Sequence, residues 1–303
     1  MPNRSAKIST LNWDDLRLFL AASRDRSFVA AGRRMQIDQT TVARRLAALE
    51  ETVGSPLFHR SPRGISLTEA GLSLVGHAEK IETEIMAASA GLEEREGEIT
   101  GTVRLATPEA FGTFLVAPNA MSLHQRHPDL QLELVPESRA VSLSSREADL
   151  AVALNRPPRG RLVAWKLTDY RLGLYGSAEY VAGHPPITDL GSAREHPFVW
   201  YIDEMIDIPE LRYFDQIVAG STTAFRSSSI AAQHEAVANG LGLGILHAFA
   251  ADADPRLARV LAKSVQVTRS YWLVVHKDQQ RLPRVRAVID FLTDLVARNR
   301  RRF

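Results

Sequence analysis

A chain of 303 residues with 45% hydrophobic and 24% charged residues, 18 Gly and 15 Pro has the make-up of a globular protein with material for two cores, and not of a disordered, fibrous or membrane chain. It contains no cysteine, which excludes disulfides, thiolate metal sites and cysteine nucleophiles. The net charge of +2 hides an asymmetry, because residues 1–66 hold 11 Lys/Arg against 6 Asp/Glu, whereas residues 67–98 hold 2 against 8; a basic head before an acidic neck suits a head that meets phosphate.

The first twenty residues carry Arg4, Lys7, Asp14, Asp15 and Arg17 where a signal peptide would need an apolar stretch, so a cytoplasmic location is expected. Asn12 is a candidate N-cap for WDDLRLFLAASRD, with Asp14 and Asp15 at the positive end of the helix dipole and Leu16, Phe19 and Leu20 on one face. Ser27 caps FVAAGRRM, and the polar joint Gln36 to Asp38 leads into QTTVARRLAALEE. Ala31 and Gly32 are small enough for a close helix crossing, and Met35, Ile37, Val42, Leu46 and Leu49 supply the core of a helix-turn-helix.

The opposite face of the second helix carries Gln39, Thr40, Thr41, Arg44 and Arg45. Gln can read adenine through two bonds, Thr can meet a thymine methyl, and Arg can fork onto guanine or pair with phosphate. Paired arginines also occur merely as a solvated helix surface. After them, LFHR and GISL, punctuated by Gly54, Pro56, Pro62 and Gly64, predict a hairpin wing with Arg60 and Arg63 near its tip.

From Leu11 to Gly71 the chain resembles the N-terminal domain of LysR-type regulators. Asp38-Gln39-Thr40-Thr41-Val42-Ala43-Arg44 stands where that family has Ser-Gln-Pro-Ala-Val-Ser-Arg, so Gln39 and Arg44 match, while Thr40 and Ala43 depart from the usual Pro and Ser. The resemblance implies a winged helix-turn-helix over residues 1–67, a linker helix over 68–97 and an effector-binding domain over 98–303. The DNA-contacting set then comprises Ser27, Gln39, Thr40, Thr41, Arg44, Arg45, Arg60 and Arg63.

In the neck, Ala70, Leu74, Ala78, Ile81, Ile85, Ala88 and Leu92 recur at alternating intervals of about three and four, the pattern of a coiled-coil seam. An amphipathic helix packed on its own domain gives the same pattern; the resemblance implies the first reading, a dimer through this helix and a tetramer beyond it. Glu79, Glu82 and Glu84 are expected on the outer face, away from DNA.

From Val103 onward strand and helix signals alternate. VRLAT, LQLELV, DLAVAL, RLGLYG, FVWYI, TTAF, GLGILH and YWLVVHK are strand candidates; PEAFGTFLVAPNAMSLHQRHP, IAAQHEAVANG and PRVRAVIDFLTDLVARN are helical. This predicts an α/β fold in two subdomains with a cleft between them. In LysR-type proteins this part resembles a periplasmic binding protein, which implies subdomain I over about 98–172 and 268–303, and subdomain II over about 173–267. The crossings are expected near Tyr170 to Ser177 and Val265 to Ser270. Strand C-termini and helix N-termini would line the cleft, which selects Thr107, Pro108 and Glu109, Ser138 and Arg139, Trp200 and Tyr201, and Arg226, Ser227 and Ser228. Ser and Thr in such places also serve simply as helix caps, and Trp and Tyr as core. Arg139 and Arg226 near one cleft would favour an anionic small-molecule effector.

Other classes find little support. Ser227, Ser228 and Ser229 lack a G-x-S-x-G frame, and the nine His residues form no paired-ligand pattern, so no catalytic residue, metal or cofactor is expected. Gly240, Gly242 and Gly244 follow a helix and precede a strand, the reverse of a dinucleotide loop. An architectural DNA-binding protein without a ligand is the main alternative; an enzyme is the weaker one.

Overall fold

The computed structural model describes residues 11–61, 64–93, 99–137, 148–157, 162–205 and 219–303. Two compact units divide the chain, Met1–Glu94 and Arg95–Phe303.

In the first unit, α1 (Trp13–Asp25) is capped by Asn12, whose Oδ1 accepts the Asp14 N–H at 2.9 Å. Its apolar face buries Leu16, Phe19 and Leu20. Ser27 caps α2 (Phe28–Met35), which ends at Gln36 with φ 55°. The turn that follows folds tightly onto Gly32, where a Cβ would lie 2.7 Å from the Ile37 carbonyl oxygen. Helix α3 (Gln39–Val53) buries Val42, Leu46 and Leu49 and stops at Gly54, whose φ of 75° suits glycine. Strands β1 (Phe58–Ser61) and β2 (Gly64–Leu67) pair antiparallel as the wing, with Phe58 opposite Leu67. The Phe58 ring meets Phe19 at 5.4 Å and Phe28 at 5.5 Å, so the wing is rooted in the helical core.

Helix α4 (Glu69–Glu93) starts at Thr68, whose hydroxyl donates to the Pro56 carbonyl and accepts the Gly71 N–H. One stripe of the apolar pattern lies on its own head: Ala78 is fully buried, and Ala70, Leu74 and Val75 pack on the head core. Further along the same stripe Ile81 and Ile85 are exposed, as is Leu72 on the opposite face of the helix. The expected acidic outer face is corrected here, because Glu79 and Glu82 are buried while Glu84 is exposed. The physical reason is charge pairing, since Arg24 of α1 neutralises Glu82. The Leu92 side chain lies outside the described residues.

The second unit is built on one mixed sheet. Strand β3 (Gly101–Pro108) is flanked in parallel by β4 (Leu130–Glu137) and β5 (Leu150–Ala153). Between β3 and β4, α5 (Glu109–Phe111) runs through a π-helical turn, Gly112–Val116, into α6 (Ala117–Arg126). The long strand β6 (Leu162–Ser177) leads through α7 (Ala178–Gly183) and α8 (Leu190–Ala193) to β7 (Phe198–Trp200), β8 (Thr223–Arg226) and α9 (Ile230–Ala238). Then follow β9 (Leu243–His247), α10 (Ala248–Ala251), β10 (Leu257–Val260), β11 (Gln266–His276) and α11 (Pro283–Arg298).

The strand order β4-β3-β5-β11-β6-β9-β7-β8 explains the layout. One half holds β3, β4 and β5; the other holds β7, β8 and β9, with β7 parallel to both neighbours. Among the described residues only β6 and β11 run through both, antiparallel from Leu162↔His276 to Gly173↔Gln266, and β10 takes over the edge of β6 from Leu174. Both passing strands begin well before RLGLYG and YWLVVHK, because their first halves mix polar and apolar residues.

Candidate nucleic-acid interface and effector site

The start of α3 is organised by Asp38. Its carboxylate accepts the Thr41 N–H at 2.9 Å, the Thr41 hydroxyl at 2.6 Å and the Thr40 hydroxyl. These bonds hold the Asp38 carboxyl well below the usual carboxylate range, the Thr40 hydroxyl contributing most. Both threonine hydroxyls are therefore engaged in the cap. Asp38 is not among the residues expected from the sequence to shape this face, although an Asp immediately before a helical run is itself an N-cap signal.

Gln39 and Arg44 are exposed on this helix. Arg45 is tied to α1, its Nε donating to Asp15 Oδ1 at 2.7 Å, which makes it a brace between two helices of the head. Ser27 accepts the Ala30 N–H at 3.3 Å and so caps α2. In the wing, the Arg60 guanidinium lies 5.2 Å from the centre of the Phe28 ring, a cation–π contact that orients it. Glu50 steadies the approach to the wing by accepting the N–H groups of Leu57 and Phe58. Arg63 lies outside the described residues, as do Ser138 and Arg139 of the other unit.

In the second unit the ends of β3 and α9 come together. Thr107 is 3% exposed and its Oγ1 has no hydrogen-bond partner among the described residues. Pro108 precedes α5, and Glu109 accepts the Ser229 hydroxyl at 2.6 Å, the Ile230 N–H at 2.6 Å and the Ala231 N–H at 3.3 Å. Ser229 in turn accepts the Ala232 N–H and so caps α9. Ser227 donates its N–H to the Trp200 carbonyl, and its hydroxyl accepts the Ser229 N–H, so it shapes the turn into α9. Ser228 stands between them in this turn.

Trp200 and Tyr201 are both buried, with rings nearly perpendicular. Burial, reinforced by Tyr170 and the negative charge of Glu109, pushes the Tyr201 hydroxyl above the usual phenol range and keeps it neutral. Where β6 and β11 cross between the halves, Tyr170 stacks on Tyr271 at 4.0 Å and on His247 at 5.4 Å, and Phe111 meets Tyr271 at 4.9 Å. Arg226 is half exposed and ion-paired with Asp203. Among the described residues no group of His, Asp and Glu has the geometry to hold a metal ion.

These features agree with what the chain is similar to. Residues 13–72 match the family described as bacterial regulatory helix-turn-helix protein, lysR family, and residues 96–297 match the LysR substrate binding domain. The Mau operon transcriptional activator of Paracoccus denitrificans is 27% identical over 288 residues, covering 95% of this chain and 97% of that protein. Among solved structures, CrgA, a LysR-type transcriptional regulator from Neisseria meningitidis, aligns with a TM-score of 0.57 at 25% identity over 94% of this chain and 99% of that one. Full-length LysG from Corynebacterium glutamicum, solved with bound effector Arg, shares the fold at 22% identity with a TM-score of 0.63, over 94% of this chain and 99% of that one. With a helix-turn-helix and wing at one end, a mixed sheet threaded by two shared strands at the other, and both family patterns laid along the same residues, the chain belongs to the LysR-type transcriptional regulators.

Proposed function

We propose that this regulator reads a pseudo-palindromic operator as a dimer, and that a small molecule held between the two halves of the second unit switches it. Gln39, the Thr40 methyl and Arg44 read base edges, while Arg60 and Arg63 hold phosphate or the minor groove. A dimer through α4 is supported by the exposed Ile81 and Ile85, the part of the apolar stripe that its own head leaves uncovered. Pairing of two such dimers would give the tetramer.

The observation that carries the sensor reading is the meeting of Glu109 with the first turn of α9. The ends of elements from opposite halves touch beside the junction formed by β6 and β11, so a change in the angle between the halves alters this place. A ligand shifts such an equilibrium only through its differential affinity for the two arrangements. An anionic effector draws no support from Arg226, whose guanidinium is already paired with Asp203.

The test is operator binding with and without a metabolite identified by thermal shift, repeated for Thr107→Val and Ser138→Ala in one half and for Trp200→Phe and Ser228→Ala in the other. Loss of response from both sides is expected. A response that survives all four substitutions would put the sensor elsewhere, and the absence of any stabilising metabolite would favour the architectural alternative.

A further inference from the structure

The first turn of a helix leaves backbone N–H groups unpaired and carries the positive end of the dipole, so it attracts a carboxylate. In α9 that seat is taken by a side chain 120 residues away in sequence: Glu109 Oε1 accepts Ser229 Oγ and Ala231 N, and Oε2 accepts Ile230 N. Glu109 is the first residue after β3, in one half of the unit, whereas Ser229 to Ala231 belong to the other. Close by, Tyr201 is buried and senses the charge of Glu109, while the buried Thr107 Oγ1, two residues before Glu109, has no hydrogen-bond partner among the described residues.

We propose that Glu109 is a built-in ligand: an internal carboxylate that fills the anion seat at the N-terminus of α9, clasps the two halves together and keeps carboxylate-bearing molecules out of that seat. This rests on the cleft reading above and narrows its ligand class. An external acid would have to compete with an intramolecular group held at an effective concentration on the order of millimolar or higher, and two carboxylates in one seat repel each other. The effector therefore binds beside Glu109 as a neutral or cationic polar molecule, without placing a carboxylate on α9. Removing the Glu109 carboxylate turns the seat into a binding place for small acids.

Backbone amide exchange at Ile230 and Ala231 in the full chain tests this, with sodium acetate and sodium chloride compared at equal ionic strength. The unsubstituted protein should protect both amides and respond equally to the two salts. Glu109→Ala should lower their protection about tenfold or more, and acetate, but not chloride, should restore part of it. Should Glu109→Ala fail to fold, Glu109→Gln decides: protection several-fold below that of the unsubstituted protein supports the clasp, and equal protection overturns it. Unchanged exchange in Glu109→Ala, no restoration by acetate, or acetate protecting the unsubstituted chain equally well would also overturn it. Because no effector is used, these outcomes are separate from failure of the cleft reading, which shows only in the operator-binding experiment.

Discussion

Arg24 on α1 and Glu82 on α4 face each other through two parallel bonds, Nη1 to Oε1 at 3.1 Å and Nη2 to Oε2 at 2.6 Å, with side chains only 15% and 8% exposed. The pair fastens the linker helix to its own head. Removing one member leaves a largely buried charge without its partner, so Glu82→Ala should cost about 3 kcal/mol. Replacing both, with Arg24→Met and Glu82→Leu, should cost much less. Calorimetric unfolding of the unsubstituted protein and these two variants measures the difference, and equal costs for the single and double replacements would mean that the pair does not brace the helix.

Gln39 and Arg45 share a helix but have different surroundings. Gln39→Ala should narrow the gap between operator and random DNA by about 1–3 kcal/mol. Arg45→Ala breaks a partly exposed brace to Asp15, and should lower head stability by roughly 0.2–1 kcal/mol while leaving that gap unchanged. Arg63→Ala should weaken both duplexes and flatten the salt dependence. Titrations of both duplexes at several salt concentrations check all three.

Ile81 and Ile85 are 40% and 37% exposed on α4. If this stripe joins two chains, replacing both with Asp places charge in an apolar interface and should yield monomers. Sedimentation gives the mass directly, and an unchanged mass would locate the interface elsewhere.

His247 is enclosed against Tyr170 and Phe249. Burial, with a smaller contribution from His234, pushes its imidazole down to about 3 from the ordinary 6.5. The unfolded chain therefore takes up a proton between these values that the folded protein refuses. This contribution to stability is whole above about pH 6.5 and is lost as pH falls, by up to about 1.4 kcal/mol per pH unit. His247→Phe keeps the stack and removes the proton, so its stability should decline less between pH 7 and about pH 5. Parallel acid limbs for the two proteins would show that His247 is not the group responsible.

Whatever depends on neighbours a few residues apart was legible in the sequence. The caps at Asn12 and Ser27, the helix-turn-helix around Gly32, the wing between Phe58 and Leu67 and the start of the linker at Thr68 follow from local spacing and turn chemistry, which act before any distant contact forms. The alternation of strands and helices beyond Val103 was readable for the same reason. Tertiary structure alone decided which part of the apolar stripe of α4 covers its own head, because a three-and-four repeat looks the same whether its partner is the same chain or another. It likewise decided that Arg45 meets Asp15, that Arg226 meets Asp203, and that Glu109 closes over α9. Each of these is a choice of partner for a charge, and a charge carries no periodicity that announces its partner; the strand order that brings Glu109 to Ile230 across more than a hundred residues determines the pairing.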